Sequence, residues 1–321
     1  MTRVLVTGAS GFVGSALCDR LAQSGYTVRA ALRSDRSMPA CVAEKVAIGD
    51  IAAPCNLPEA LANVDSVIHL AARAHILHDA PGNADLYTET NARGTLRLAE
   101  AAAVAGVRRF VYLSSIKVNG EATIDHAYTS ADEPRPQDAY GVSKLLGERS
   151  LLEVAARTRM EIAIVRPPLV YGPGVRANFL RLLRWVDSGL PLPLGAIHNK
   201  RSLVSVWNLS SLLIALLKHP TVPNRALLVS DAEDLSTPEL IQRIGLAMHR
   251  QVRLLPIPMT VLSFCGRLTG RKAEVDRLSG SLVVDIGSTR KELGWSPEFT
   301  VDESLRRTVE WYRERSRSGG S

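Results

Sequence analysis

The stretch Val4-Leu5-Val6-Thr7-Gly8-Ala9-Ser10-Gly11-Phe12-Val13-Gly14 limits the possible folds more than any other part of the chain. Its apolar start reads as a buried parallel strand, and Val13, Ala16, Leu17 and Leu21 continue at helical period. Gly8, Gly11 and Gly14 fall between them at G-x-x-G-x-x-G spacing. Glycine at 8 permits a turn that a side chain would block. Glycine at 11 lets backbone approach a pyrophosphate, and glycine at 14 lets the helix close on the strand. The helix start, with Phe12 and Val13 in its first turn, directs unpaired N–H groups and a positive dipole end at an anion. A glycine triplet alone is also compatible with a plain turn. A strand before it and a helix after it point to a dinucleotide site.

The same alternation continues. Strands are expected at Tyr26–Leu32, Lys45–Ile48, Ser66–Leu70, Phe110–Leu113 and Ile162–Val165, with strong helices at Asn91–Ala105 and from about Ala139 to Arg157. Strands alternating with helices imply right-handed crossovers, hence an α/β fold with a Rossmann-type, doubly wound parallel sheet. Beyond Arg166 the texture changes. Proline and glycine crowd Pro167–Gly174 and Leu190–Gly195, and apolar helices follow near Asn208–Leu217 and Pro238–Met248. We therefore expect a dinucleotide-binding domain over 1–166, an interleaved smaller substrate lobe over 167–314, and a frayed tail over 315–321. The lobe should sit on the carboxyl ends of the strands, where open α/β sheets bind ligands.

Composition excludes some classes. No apolar stretch reaches the ~20 residues needed to span a bilayer, and the N-terminus enters the first strand directly, so a cytoplasmic protein is expected. Cys18, Cys41, Cys55 and Cys265 form no C-x-x-C pair and read as free thiols. His75 and His78, near His69, lack a carboxylate or cysteine partner and read as loop or core residues, so no metal is expected. The net charge of +7 invites a nucleic-acid reading. The arginines are dispersed, however, and the densest run, Arg306 to Arg317, reads as a solvated helix face. An anionic small substrate accounts for the excess equally well.

Strand two ends in Ala30-Ala31-Leu32-Arg33, with Arg36 close behind. An acid about 20 residues beyond the glycines usually holds the ribose 2′-OH of NAD. A guanidinium at Arg33 instead suits the 2′-phosphate of NADP, so NADP(H) is favoured over NAD(H), with Asp35 the residue that would reverse the preference. Asp50 and Ile51, after strand three, are expected beside the adenine. Leu70, Ala71 and Ala72 end strand four at the same edge.

Tyr140-Gly141-Val142-Ser143-Lys144 puts a phenol and an ammonium at i and i+4, on one helix face. A lysine there is expected to lower the phenol pKa from about 10 toward neutrality. Such a tyrosine can exchange a proton with a sugar oxygen while hydride moves to or from a nicotinamide. Lys144 can also reach the nicotinamide ribose. Ser114 and Ser115 close strand five, and the Ser115 hydroxyl would bond the reacting oxygen.

With these motifs the chain resembles an extended short-chain dehydrogenase/reductase of the nucleotide-sugar epimerase/dehydratase family. The resemblance runs through TGASGFVG at 7–14, GDI at 49–51, HLAA at 69–72, TNARGT at 90–95, LSS at 113–115, YGVSK at 140–144 and RPPLVYGPG at 166–174. RSLVSVWNL at 201–209 and KELGW at 291–295 extend it over nearly the whole length.

The resemblance implies a cytoplasmic homodimer built on the helices at 91–105 and 139–157. It implies that Asn91 supports the site and that Pro167 lies at the cofactor. Asn178, Arg201 and Arg277 would hold a UDP-sugar; a guanidinium at 201 matches a diphosphate. Ser115-Ile116-Lys117 replaces the Thr-Asp-Glu of 4,6-dehydratases, which argues against dehydration. A 4-epimerase usually carries Ser-Ala-Thr at that point, and an Asn where this chain has Leu169. SSIKVNGE at 114–121 is most similar to bacterial O-antigen-type enzymes, several of which resemble UDP-4-keto-6-deoxy-N-acetylglucosamine 4-reductases. Lys117 is distinctive of that set, either as a sugar or phosphate contact or as a salt bridge. The expectation is an NADP(H)-dependent 4-keto reductase, with a UDP-hexose or UDP-N-acetylhexosamine 4-epimerase as the alternative. A non-catalytic NADP(H)-binding regulator would have no need of Tyr140 and Lys144.

Overall fold

The computed structural model describes residues 2–53, 55–74, 83–270 and 272–318. Its strands are β1 (Arg3–Thr7), β2 (Thr27–Leu32), β3 (Glu44–Ala47), β4 (Ser66–His69), β5 (Arg109–Leu113), β6 (Glu161–Arg166), β7 (Leu169–Tyr171), β8 (Arg201–Ser205), β9 (Ala226–Leu228) and β10 (Asp234–Leu235). The helices of the first half are α1 (Phe12–Gln23), α2 (Leu57–Leu61), α3 (Asn83–Thr88), α4 (Gly94–Val104) and α5 (Ala139–Arg157). Beyond them come α6 (Ala177–Asp187), α7 (Val206–Lys218), α8 (Thr237–Ala247), α9 (Met259–Leu268), α10 (Lys272–Ser279), α11 (Gly287–Leu293) and α12 (Val301–Ser318).

Seven strands form one sheet in the order β3-β2-β1-β4-β5-β6-β9, every pairing parallel. This is the expected Rossmann-type architecture. Its seventh strand, β9, comes from beyond residue 166. The side-chain alternation of a strand shows why both faces need cover. Val4 and Val6 of β1 enter a core with Leu17 and Leu21 of α1 and Leu209, Leu212 and Leu216 of α7. Leu5 points the other way, into a core with Leu61 of α2, Leu98 of α4 and Leu151 of α5.

Arg109 joins sheet and helix from inside. Fully buried, its Nη1 donates to the carbonyls of Leu216 (2.6 Å), Leu217 (3.1 Å) and His219 (2.7 Å), the unpaired end of α7. Glu161 balances its charge. A second sheet, β10-β8-β7, accompanies a third core, which unites Phe179 and Leu183 of α6, Ile241 of α8 and Leu305 of α12. Trp295, in KELGW, donates from Nε1 to Ser211 Oγ on α7 at 2.9 Å, tying the closing motif to the main sheet's helical layer.

Two boundaries differ from expectation. The helix expected from Asn91 begins at Asn83 and passes through a π-helical turn at Glu89–Arg93 before α4. That turn frees the Asn91 carbonyl to accept from Thr95 Oγ1 at 2.8 Å and Tyr112 OH at 3.2 Å. The tail expected to fray from Arg315 instead continues α12 to Ser318. The four cysteines are free.

Candidate functional site

The glycine turn is as tight as its spacing requires. Gly8 has φ +68°, and a Cβ there would lie 2.8 Å from the Ala71 nitrogen. A Cβ at Gly14 would lie 2.2 Å from the Gly8 carbonyl oxygen, so α1 can close on β1 only with glycine at 14. Gly11 donates to Gly8 O at 2.9 Å. The first turn of α1 holds no acidic residue and no side-chain cap. An open N-terminus behind a glycine turn fits a pyrophosphate. Phe12 packs against the third core and Val13 against the main core. Ala71 and Leu70 are held to Thr7 through Oγ1 (3.1 Å) and O (3.2 Å), placing the 70–72 segment beside the turn.

His69 lies beneath this turn as a core residue. Its ring nitrogens are 2.6 Å from Thr7 Oγ1 and 3.0 Å from Thr95 Oγ1. Burial, with the Lys144 charge, pushes its pKa down to about 3. His75 and His78 lie outside the described residues. Between about 3 and the unfolded value of about 6.5, the unfolded chain binds a proton that the folded chain refuses. Stability should therefore fall as pH is lowered through that window. Urea midpoints of wild type and His69→Gln, compared from pH 6.5 to 5, should show a shallower slope in the variant. Equal slopes would mean that the folded ring accepts the proton.

Tyr140 and Lys144 both sit near the start of α5, whose N-cap is Asp138, accepting from Gly141 N at 2.7 Å. The expected direct pairing of phenol and ammonium is not present. Lys144 is buried, donates to Leu113 O at 2.7 Å and Tyr112 OH at 3.3 Å, and stands 4.4 Å over the Tyr112 ring. Desolvation lowers it to about 7, opposed by the Glu148 carboxylate. The Tyr140 phenol is raised above its ordinary value, the reverse of the drop expected from the sequence. Desolvation is the main cause and the Asp138 charge the second, while a hydrogen bond with the Ser115 side chain acts the other way. Ser115 and Tyr140 are thus brought together, and Tyr87 packs edge-on against Tyr140 at 5.9 Å.

Residues 4–229 match the model of the NAD dependent epimerase/dehydratase family. The chain belongs to that family. It is 42% identical to the UDP-glucose 4-epimerase of Vibrio cholerae, over 96% of this chain and 94% of that protein. It is 27% identical to an N-acetyl-alpha-D-glucosaminyl-diphospho-ditrans,octacis-undecaprenol 4-epimerase of Escherichia coli O157:H7, over 96% and 94% of the two chains. Among solved structures it superposes on MoeE5 in complex with UDP-glucose and NAD with a TM-score of 0.77 and 29% identity, covering 98% of this chain and 99% of that one.

For a chain of this family, the supporting residues are placed as follows. Asn91 is fully buried. It accepts from Arg73 N (2.8 Å) and donates to Arg73 O (2.9 Å) and Ser143 Oγ (3.0 Å), so it braces α5 rather than facing open space. Ser114, expected at the cofactor, donates its hydroxyl to Glu148 at 2.5 Å. Ile51 is core, its carbonyl taken by Arg97 at 2.6 Å, while Asp50 lies 4.0 Å from exposed Arg33. Ala72 is exposed, and Pro167 is buried with its carbonyl accepting from Ile116 N at 2.9 Å.

Lys117 takes the salt-bridge alternative. Its Nζ donates to Asp138 (2.5 Å) and Glu121 (2.7 Å), so its charge goes to the cap of α5 rather than standing free for a ligand. Arg201 Nη1 donates to the carbonyls of Arg277 (2.6 Å) and Gly280 (3.0 Å), which brings those two predicted residues together; the Arg277 side chain is exposed. Asn178 is exposed on α6 and accepts from Arg181 at 2.5 Å. Its hydrogen bond joins it to neither arginine of that pair.

Sequence reasoning missed Asp138, Glu148 and Asn119. Only Asp138 carried a local signal, a helix N-cap aspartate two residues before the tyrosine.

Proposed function

We propose that this chain reduces the C4 ketone of a UDP-4-keto-6-deoxy-hexosamine with NADP(H), giving UDP-N-acetylquinovosamine for a bacterial surface polysaccharide. The observation that carries the cofactor choice is at the end of β2. Asp35, the acid able to hold a 2′-OH, is paired with Lys45 at 2.7 Å. Arg36 donates to Ser10 Oγ in the glycine turn at 3.2 Å, and Arg33, exposed, keeps only a 4.0 Å approach to Asp50 among the described acids. Two cations and a neutralised acid suit a 2′-phosphate.

The Gly8–Gly14 turn and the open start of α1 would hold the cofactor, whose nicotinamide would supply hydride to C4. Tyr140 gives its proton to the C4 oxygen, and its raised pKa keeps that proton available at neutral pH. Ser115 orients the oxygen, Lys144 holds the floor of the site, and Arg201 and Arg277 face the diphosphate. The second reading is a UDP-glucose or UDP-N-acetylglucosamine 4-epimerase. The 42% identical Vibrio cholerae relative favours it. In either case we expect a homodimer through α4 and α5, on which Val142, Leu146 and Leu152 stay exposed. A monomer mass by light scattering would remove that expectation.

Nicotinamide fluorescence titration tests the cofactor choice. NADPH should bind more tightly than NADH, and Arg33→Ala/Arg36→Ala should cost about 10- to 100-fold for NADPH only. Tighter NADH binding, indifferent to that change, would transfer the case to the epimerase.

A further inference from the structure

Much of the chain's excess positive charge falls in one segment. From Leu240 to Ala273 there is no Asp or Glu, while Arg243, Arg250, Arg253, Arg267, Arg271 and Lys272 fall in that segment. Six cations there set against a net charge of +7 leave the remainder of the chain close to neutral. Arg243, Arg250 and Lys272 find carboxylates elsewhere: Glu233 and Asp302, Asp187, and Asp276. Arg253 and Arg267 are exposed, and no ion pair joins either to a described acid.

The same segment exposes large apolar side chains. On α9, Val261 (47% exposed), Phe264 (62%) and Leu268 (73%) stand at i, i+3 and i+7, one stripe of the helix. The opposite side of α9 is occupied: Met259 and Leu262 pack on the third core, and Gly266 lies against Val275 of α10. Leu255 (45%) precedes the stripe. The 190–195 segment is laddered against it, Leu255 N donating to Leu192 O at 2.8 Å, and that brings exposed Leu190 (67%) alongside.

We propose that this face, the outer stripe of α9 with Leu190, Leu255, Arg253 and Arg267, docks on the surface of an anionic lipid bilayer. Apolar side chains beside cations that pair with no described acid match an interface that is oily below and negative above. A second copy is a poor occupant, because a two-fold contact would set these cations against their own copies. A nucleic acid would leave Val261, Phe264 and Leu268 in water. No described helix is long and apolar enough to cross a membrane, so the contact is from one side. Arg277, whose carbonyl Arg201 holds, lies on the next helix, α10, which places the substrate lobe at the lipid surface. Docking holds whichever reaction the site performs.

Full-length protein sedimented with vesicles tests this. Binding to equal parts phosphatidylcholine and phosphatidylglycerol should exceed binding to phosphatidylcholine alone by about tenfold or more, and should weaken as salt is raised. Phe264→Glu/Leu268→Glu, at exposed positions, should abolish it with circular dichroism and nucleotide binding unchanged. Arg253→Glu/Arg267→Glu should remove the preference for anionic vesicles. Wild type that does not sediment, or variants that sediment like wild type, overturn the proposal. A change of molecular mass in the Phe264→Glu/Leu268→Glu variant also overturns it, since the stripe would then join copies of the chain.

Discussion

Replacing Tyr140 by phenylalanine is expected to slow turnover about 100- to 10,000-fold, the range for a lost general acid. Stability and nucleotide affinity should stay near wild type. The substitution removes one oxygen and keeps the ring, so the edge-on contact with Tyr87 at 5.9 Å persists. The side-chain hydrogen bond with Ser115 is lost. Ser115 also accepts from Lys117 N at 3.3 Å, so it keeps a partner. A variant with near wild-type turnover would assign proton transfer to another group. Steady-state rates alongside nicotinamide fluorescence separate the two.

Replacing Glu148 by alanine is expected to cost about 3–5 kcal/mol of stability, the penalty for stranding the partner of a buried ion pair. Arg166 grips Glu148 through Nε at 2.9 Å and Nη2 at 2.5 Å, with both side chains nearly fully buried. Ser114 donates to the same carboxylate, and among the described residues Arg166 Nη1 reaches only Asn119 Oδ1, at 2.9 Å. Without the carboxylate the guanidinium keeps a single neutral acceptor. Lys144, one turn back on α5, also loses the charge that supports its protonated form, so its pKa should fall below about 7. Urea unfolding measures the first effect. A loss under about 1 kcal/mol would mean that water reaches the site.

What was legible in the sequence was local. The turn at Gly8–Gly14, the strands of the first half and α5 follow from hydrophobic period and glycine spacing, and all appear within a few residues of expectation. Tyr140 and Lys144 were found because their spacing is that of one helix face. Their electrostatics were not, because pKa depends on burial and on Asp138, and spacing along a helix reports neither. Lys117 stood out as a cation beside Ser115, yet its partners Glu121 and Asp138 meet it only in the folded chain. The π turn at Glu89–Arg93 has no period of its own, and Glu148 with Arg166 reads as two ordinary surface charges until α5 lies on β6. The short strands β7, β8 and β10 are defined by each other.

The most direct measurement mixes purified protein with NADPH and UDP-4-keto-6-deoxy-N-acetylglucosamine and follows nicotinamide absorbance. Stoichiometric loss of NADPH is expected, with much weaker loss of NADH and none with Tyr140→Phe. No loss, with interconversion of UDP-glucose or UDP-N-acetylglucosamine and their C4 epimers, would contradict it and establish the epimerase.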